Sequence, residues 1–68
     1  MEEIKTYETI EGIHLALDDL VWVAALDMDS FNYVPVQYTV RRCIKGGQTA
    51  FWQSEENCIN ECVNANSL

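Results

Sequence analysis

Sixty-eight residues, 49% of them apolar, carry eleven acids against four bases, for a formal net charge of −7. A chain this short buries only about 60% of the surface its unfolded form exposes, so one folded domain with a thin stability margin is expected. The composition excludes a disordered tail, and the charge excludes a general basic surface for direct contact with nucleic acid.

The first ten residues are polar and weakly patterned. Ile10, Ile13, Leu17 and Leu20 then recur at helical steps, which predicts an N-terminal helix with Thr9 as cap and Glu11 in its first turn. Gly12 opposes that reading, because glycine inside a helix costs about 1 kcal/mol against alanine. The competing reading pairs a strand over residues 5–10 with one over 13–17 and puts Gly12 in the turn. The helix is the favoured one.

After Asp18 and Asp19, residues 20–26 (LVWVAAL) read as a strand buried on both faces, with Val21, Trp22 and Val23 favouring the pleated form. Residues 27–32 read as a loop, rich in side chains that bond their own backbone. Residues 34–53 read as a hairpin. Val34, Val36, Tyr38, Val40 and Ile44 share its core face, and Gly46-Gly47 supplies the positive φ of a two-residue turn. Pro35 lacks a ladder donor, so pairing is expected to start after it. In a two-residue register Arg41 faces Trp52, as a cation–π pair, and Arg42 faces Phe51 on the core side; a bulge or one extra loop residue would exchange Trp52 for Phe51. Ser54 suits the N-cap of a last helix, with Glu55 and Glu56 matching its dipole and Cys58, Ile59, Cys62 and Val63 forming its apolar stripe. That helix is expected to stop near Ala65.

The expected fold is a small single α+β domain over residues 1–68. Its three-stranded antiparallel sheet is flanked by an N-terminal and a C-terminal helix, in the order helix-strand-strand-strand-helix. Double-stranded RNA-binding domains share that order, but Glu55 and Glu56 stand where those domains carry bases, so no RNA binding is inferred.

Charge is unevenly spread. Residues 1–29 hold eight acids and one lysine, residues 30–54 hold three bases and no acid, and residues 55–68 hold three acids. Segregation of this kind steers encounter with oppositely charged partners. The expected function is therefore a non-enzymatic, acidic protein-binding module: an inhibitor or modulator of a basic, nucleic-acid-handling protein, acting by nucleic-acid mimicry. Phage-type antagonists of host defence, anti-CRISPR-like inhibitors among them, are the setting such a chain suggests. The expected partner surface comprises Glu8, Glu11, Asp18, Asp19, Asp27, Asp29, Glu55 and Glu56, with the aromatics Phe31 and Tyr33 as anchors.

No catalytic, cofactor-binding or metal-ligating residue is assigned. The single histidine, His14, lies between Ile13 and Leu15 and reads as a packed residue. No nucleophile elbow or phosphate-binding glycine loop is present. Asp27 and Asp29 have the spacing that opens a calcium loop, but Phe31 stands where the third ligand belongs. Two alternatives remain. One is a small structural or regulatory homodimer built on residues 20–26 as a sheet edge. The other is a zinc module of Cys43, Cys58, Cys62 and His14, although no C-x₂-C pair is present. An odd cysteine count with no signal peptide and no apolar run of membrane length points to free thiols in the cytoplasm.

Overall fold

The chain is organised on one long antiparallel ribbon. In the computed structural model, which describes residues 6–67, the elements are β1 (Tyr7–Glu8), β2 (His14–Leu15), β3 (Leu20–Asp27), β4 (Asn32–Thr39), α1 (Val40–Lys45) and α2 (Glu55–Asn66). β3 pairs with β4 from Leu20↔Thr39 to Asp27↔Asn32, and β1 pairs with β2 in a separate two-stranded sheet. The expected three-stranded sheet and N-terminal helix are thereby overturned.

β3 forms where the run of residues 20–26 placed it. Its burial alternates and is not equal on both faces as expected: Val21 and Val23 are fully buried and face Tyr38 and Val36 across the ribbon. With Val40, Cys43 and Phe51 they make the main core, joined by Tyr7, Leu15 and Leu17. Cys58 and Cys62 are also buried but stand apart from that cluster, on α2, which packs against β4 and β3.

The N-terminal segment folds as the competing hairpin, and Lys5, the first residue of that reading, lies outside the described residues. Gly12 decides the outcome. Its φ of 86° belongs to a turn and not to a helix. Thr9 closes the turn three ways: its amide donates to the Ile13 carbonyl (2.8 Å), its carbonyl accepts from Gly12 (2.9 Å), and its hydroxyl oxygen accepts from the Ile13 amide (3.2 Å). The apolar spacing of Ile10, Ile13, Leu17 and Leu20 is not a helical seam; Ile10 is 61% and Leu20 55% exposed.

Gly46-Gly47 is a helix stop and not a hairpin turn. The Gly47 amide donates to the Ile44 carbonyl (3.0 Å) and the Gln48 amide to the Cys43 carbonyl (2.8 Å), with Gly47 at φ 81°. That pair of bonds around a left-handed glycine is the Schellman termination. At the other end of α1, Thr39 Oγ1 accepts from the Arg42 amide (3.2 Å). The carbonyls of Asp19 and Leu17 take the amides of Val40 and Arg41, both at 2.9 Å. Arg41, Arg42 and Lys45 are good helix formers, so local propensity agrees.

The expected third strand shrinks to one residue. Trp52 exchanges both backbone bonds with Trp22, at 2.7 and 2.8 Å, on the outer edge of β3. Since Trp22 points its backbone outward, so do Ala24 on β3 and Tyr33 and Pro35 on β4. Pairing runs straight through Pro35↔Ala24 because the proline's missing donor faces the open edge. α2, capped by Ser54, spans the ribbon and ends where Asn66 binds Tyr33 twice: Oδ1 accepts from its amide (2.6 Å) and Nδ2 donates to its carbonyl (3.1 Å). The radius of gyration, 12.8 Å, exceeds the ~11 Å of a compact chain of this length, and the extents are 48 × 20 × 16 Å.

Candidate functional site

The β3–β4 turn, residues 28–31, projects exposed apolar side chains among carboxylates. Phe31 is 72% and Met28 68% exposed, and beneath them Leu26 and Tyr33 form an exposed cross-strand pair. The turn is fixed by Asp27. Its carbonyl accepts from the Phe31 amide (2.7 Å), Oδ1 from the Asp29 amide (3.0 Å) and Oδ2 from the Ser30 hydroxyl (3.2 Å). Ser30 Oγ in turn accepts from the Asn32 amide (3.3 Å). Phe31 closes the turn at φ 58°, a conformation that costs an L-residue with a large side chain about 1–2 kcal/mol. Asp29 takes part through its amide alone; among the described residues no hydrogen bond or ion pair engages its carboxylate.

Most other acids of the expected partner surface are engaged inside the fold. Glu8 sits 3.2 Å from His14 Nε2, whose Nδ1 lies 3.2 Å from the Thr6 hydroxyl. His14 is therefore an exposed ring and not the packed residue that its neighbours suggested. Asp18 meets Arg41 at 3.4 Å, with both side chains largely in water, a geometry worth little. Asp19 Oδ2 accepts from the Ala16 amide at 2.8 Å. Glu55 and Glu56 occupy the first turn of α2, where the helix dipole alone accounts for them.

Glu11 is the most committed of all. Its carboxylate accepts from the amides of Gln53 (2.6 Å) and Ser54 (2.8 Å) and from Asn57 Nδ2 (2.9 Å). Desolvation raises its pKa, but the bonds from Asn57, Gln53, Ser54 and Thr9 outweigh that and hold it at about 2. Glu11 thus ties the β1–β2 turn to the start of α2 and is a structural anchor.

The opposite end of the ribbon carries the bases, with Asp18 and Asp19 beside them. α1 carries Arg41, Arg42 and Lys45, all of the lysines and arginines among the described residues. Arg42 lies over the Tyr38 ring, 4.7 Å from its centroid, in place of the expected Arg41–Trp52 contact. A cleft of about 560 Å³ runs along these residues and Gln48. Beside it, an apolar pocket of about 330 Å³ is lined by Tyr7, Glu8, Ile44, Gly47, Gln48, Thr49 and Phe51.

Among the described residues no group of three or more His, Cys, Asp or Glu is placed to hold a metal ion. Cys43 belongs to the main core, whereas Cys58 and Cys62 line α2. Burial raises the Cys43 thiol. Burial first, then the neighbouring Cys62, Glu11 and Glu55, pushes Cys58 up to about 12. No helix among the described residues is long and apolar enough to cross a membrane.

The structure gathers Asp27, Asp29, Phe31 and Tyr33 at one tip, brings Glu11 to the start of α2 with Glu55 and Glu56, and leaves Glu8, Asp18 and Asp19 apart from both groups. Sequence reasoning missed Leu26 and Met28 as exposed members of that tip. The signal was present: Met28 lies between two aspartates in a turn, and Leu26 is the last apolar residue before it. No family model, no curated protein and no solved structure matches this chain.

Proposed function

We propose that this chain is a non-enzymatic binding module that docks its β3–β4 tip on a basic protein of the kind that handles nucleic acid, as an inhibitor or modulator. The supporting observation is Phe31, held 72% exposed at φ 58° in a turn that also carries Asp29. A strained, exposed aromatic costs the free protein both backbone energy and apolar hydration, and docking in a partner pocket recovers the second. Aromatic side chains seated in a desolvated partner pocket often carry much of the binding energy of an interface. The Asp29 carboxylate and the net charge of −7 select a basic rim around that pocket.

Recognition by the tip is favoured over wholesale phosphate mimicry. A DNA duplex as long as the 48 Å molecule carries roughly 28 phosphates. This chain has eleven acids, and several of them are bound internally. Capture from cell extract with wild type, Phe31→Asn and Asp29→Lys tests the reading. Retention of a basic protein by wild type, lost in both variants and weakened by salt, supports it. Capture that survives both substitutions overturns it.

A further inference from the structure

The two ends of the ribbon carry complementary chemistry, and we propose that they engage between molecules, so that this chain associates head to tail through its β3–β4 tip and its α1 cleft. The tip offers an aromatic ring at Phe31, a thioether at Met28 and the carboxylate of Asp29. The α1 end offers the converse: an apolar pocket lined by Ile44 and Phe51, adjoining a cleft lined by Arg41, Arg42 and Lys45, the two meeting at Gln48. Both volumes, about 330 and 560 Å³, fall within the roughly 300–1,000 Å³ typical of occupied ligand sites.

The contact is intermolecular by geometry. Seven strand steps from Asn32 to Thr39, roughly 23 Å at 3.3 Å each, separate tip from α1 along a paired ribbon that cannot fold back on itself.

Electrostatics favours this arrangement over a side-by-side pair. Two copies placed end to end keep their charge centres several Debye lengths apart, since the molecule is 48 Å long and the screening length is about 8 Å at physiological salt. Their net repulsion is therefore screened, while the acidic tip and basic cleft meet at contact distance. Side by side, across 20 Å or less, the same acids lie much closer. Arg41 and Lys45 also stand one helical turn apart as like charges, a repulsion that an incoming carboxylate relieves. Arg41 is held by Asp18 only at 3.4 Å in open solvent, so that pair competes weakly. Glu8 lines the apolar pocket, but its carboxylate is turned to His14 at 3.2 Å.

Because the contact joins two different patches, each added copy leaves a free tip and a free cleft, and assembly is open-ended. A tip so engaged is masked from any other partner. The inference does not rest on the functional reading above and is tested with this chain alone.

The experiment is analytical ultracentrifugation from about 10 μM to about 1 mM, at about 0.05 M and about 0.5 M salt. The expected result is a mass that climbs above the 7.8 kDa monomer at low salt and returns toward it at high salt. Asp29→Lys with Phe31→Asn disables the tip but keeps a residue suited to the left-handed turn, and Arg41→Gln with Lys45→Glu disables the cleft. Each double variant is expected to be monomeric, with urea midpoints confirming that both fold. Mixed, they restore one contact and stop at a 1:1 pair, whereas wild type continues beyond it. A wild type that stays monomeric at low salt, association that persists in either double variant, or a mixture that does not pair overturns the proposal.

Discussion

Glu11→Gln isolates the tie between the N-terminal hairpin and α2. The substitution keeps size and shape but replaces a carboxylate that accepts from two amides and from Asn57 with an amide that turns an N–H toward donors. The displacement of the Glu11 pKa from 4.5 to about 2 would be worth about 3 kcal/mol if none of it were screened. The carboxylate is half-buried and partly open to water, so we expect about 2 kcal/mol, in line with charge-assisted hydrogen bonds. For a domain of this size that lowers Tm by about 10 °C. The sign with pH follows from linkage. A carboxyl held below its unfolded value stabilises the fold fully above pH 4.5, and that contribution is lost as pH falls toward 2. Urea unfolding of wild type and Glu11→Gln should therefore differ by about 2 kcal/mol at neutral pH and converge near pH 2. A gap below about 0.5 kcal/mol at neutral pH, or one that persists unchanged in acid, refutes the structural role given to Glu11.

Three further outcomes are expected. Phe31→Gly relieves the left-handed strain at φ 58° and should raise stability by about 1 kcal/mol, read from the urea midpoint; a loss would show that the ring supports the fold. Val21→Ala removes two fully buried methyl groups from the main core and should cost about 2 kcal/mol, whereas Leu26→Ala on the exposed tip should cost under about 0.5. Cys58, buried and with its pKa pushed up to about 12, is held as the unreactive thiol at pH 8. Iodoacetamide should leave it unmodified until the protein unfolds, and mass spectrometry at the rate of a free thiol would contradict the burial assigned to α2.

Two elements were legible because their signals are local and redundant. β3 has Val21, Trp22 and Val23 in succession, residue types that suit a pleated, half-buried surface. α2 has Ser54, Glu55 and Glu56 in sequence at its start: Ser54 accepts from the Asn57 amide, and the two glutamates match the helix dipole. The tip was partly legible too, since Asp27, Asp29 and Ser30 announce a turn and Phe31 and Tyr33 flank it. Its apolar continuation through Leu26 was not, because exposure of that pair depends on which strand is its partner.

The misreading of Gly46-Gly47 has a general cause. Positive φ is demanded by hairpin turns and by helix ends alike, so a glycine names the backbone angle and not the element around it. Gly46-Gly47 ends α1, and Gly12 turns the hairpin that an apolar spacing had disguised as a helix. Glu11 shows the same limit for charge. Its sequence position says only that it is acidic, while its role comes from amides 42 and 43 residues away along the chain.

The sequence by itself determined the acidic charge and its basic interruption, the free thiols, β3, the turn after it and the start of α2. Each follows from composition or from contacts within a few residues. Only the tertiary structure decided that Trp52 meets Trp22, that α1 stands where a strand was expected, and which carboxylates remain free. Those outcomes depend on backbone donors and acceptors finding partners across the whole chain, and no local pattern specifies where a distant partner will stand.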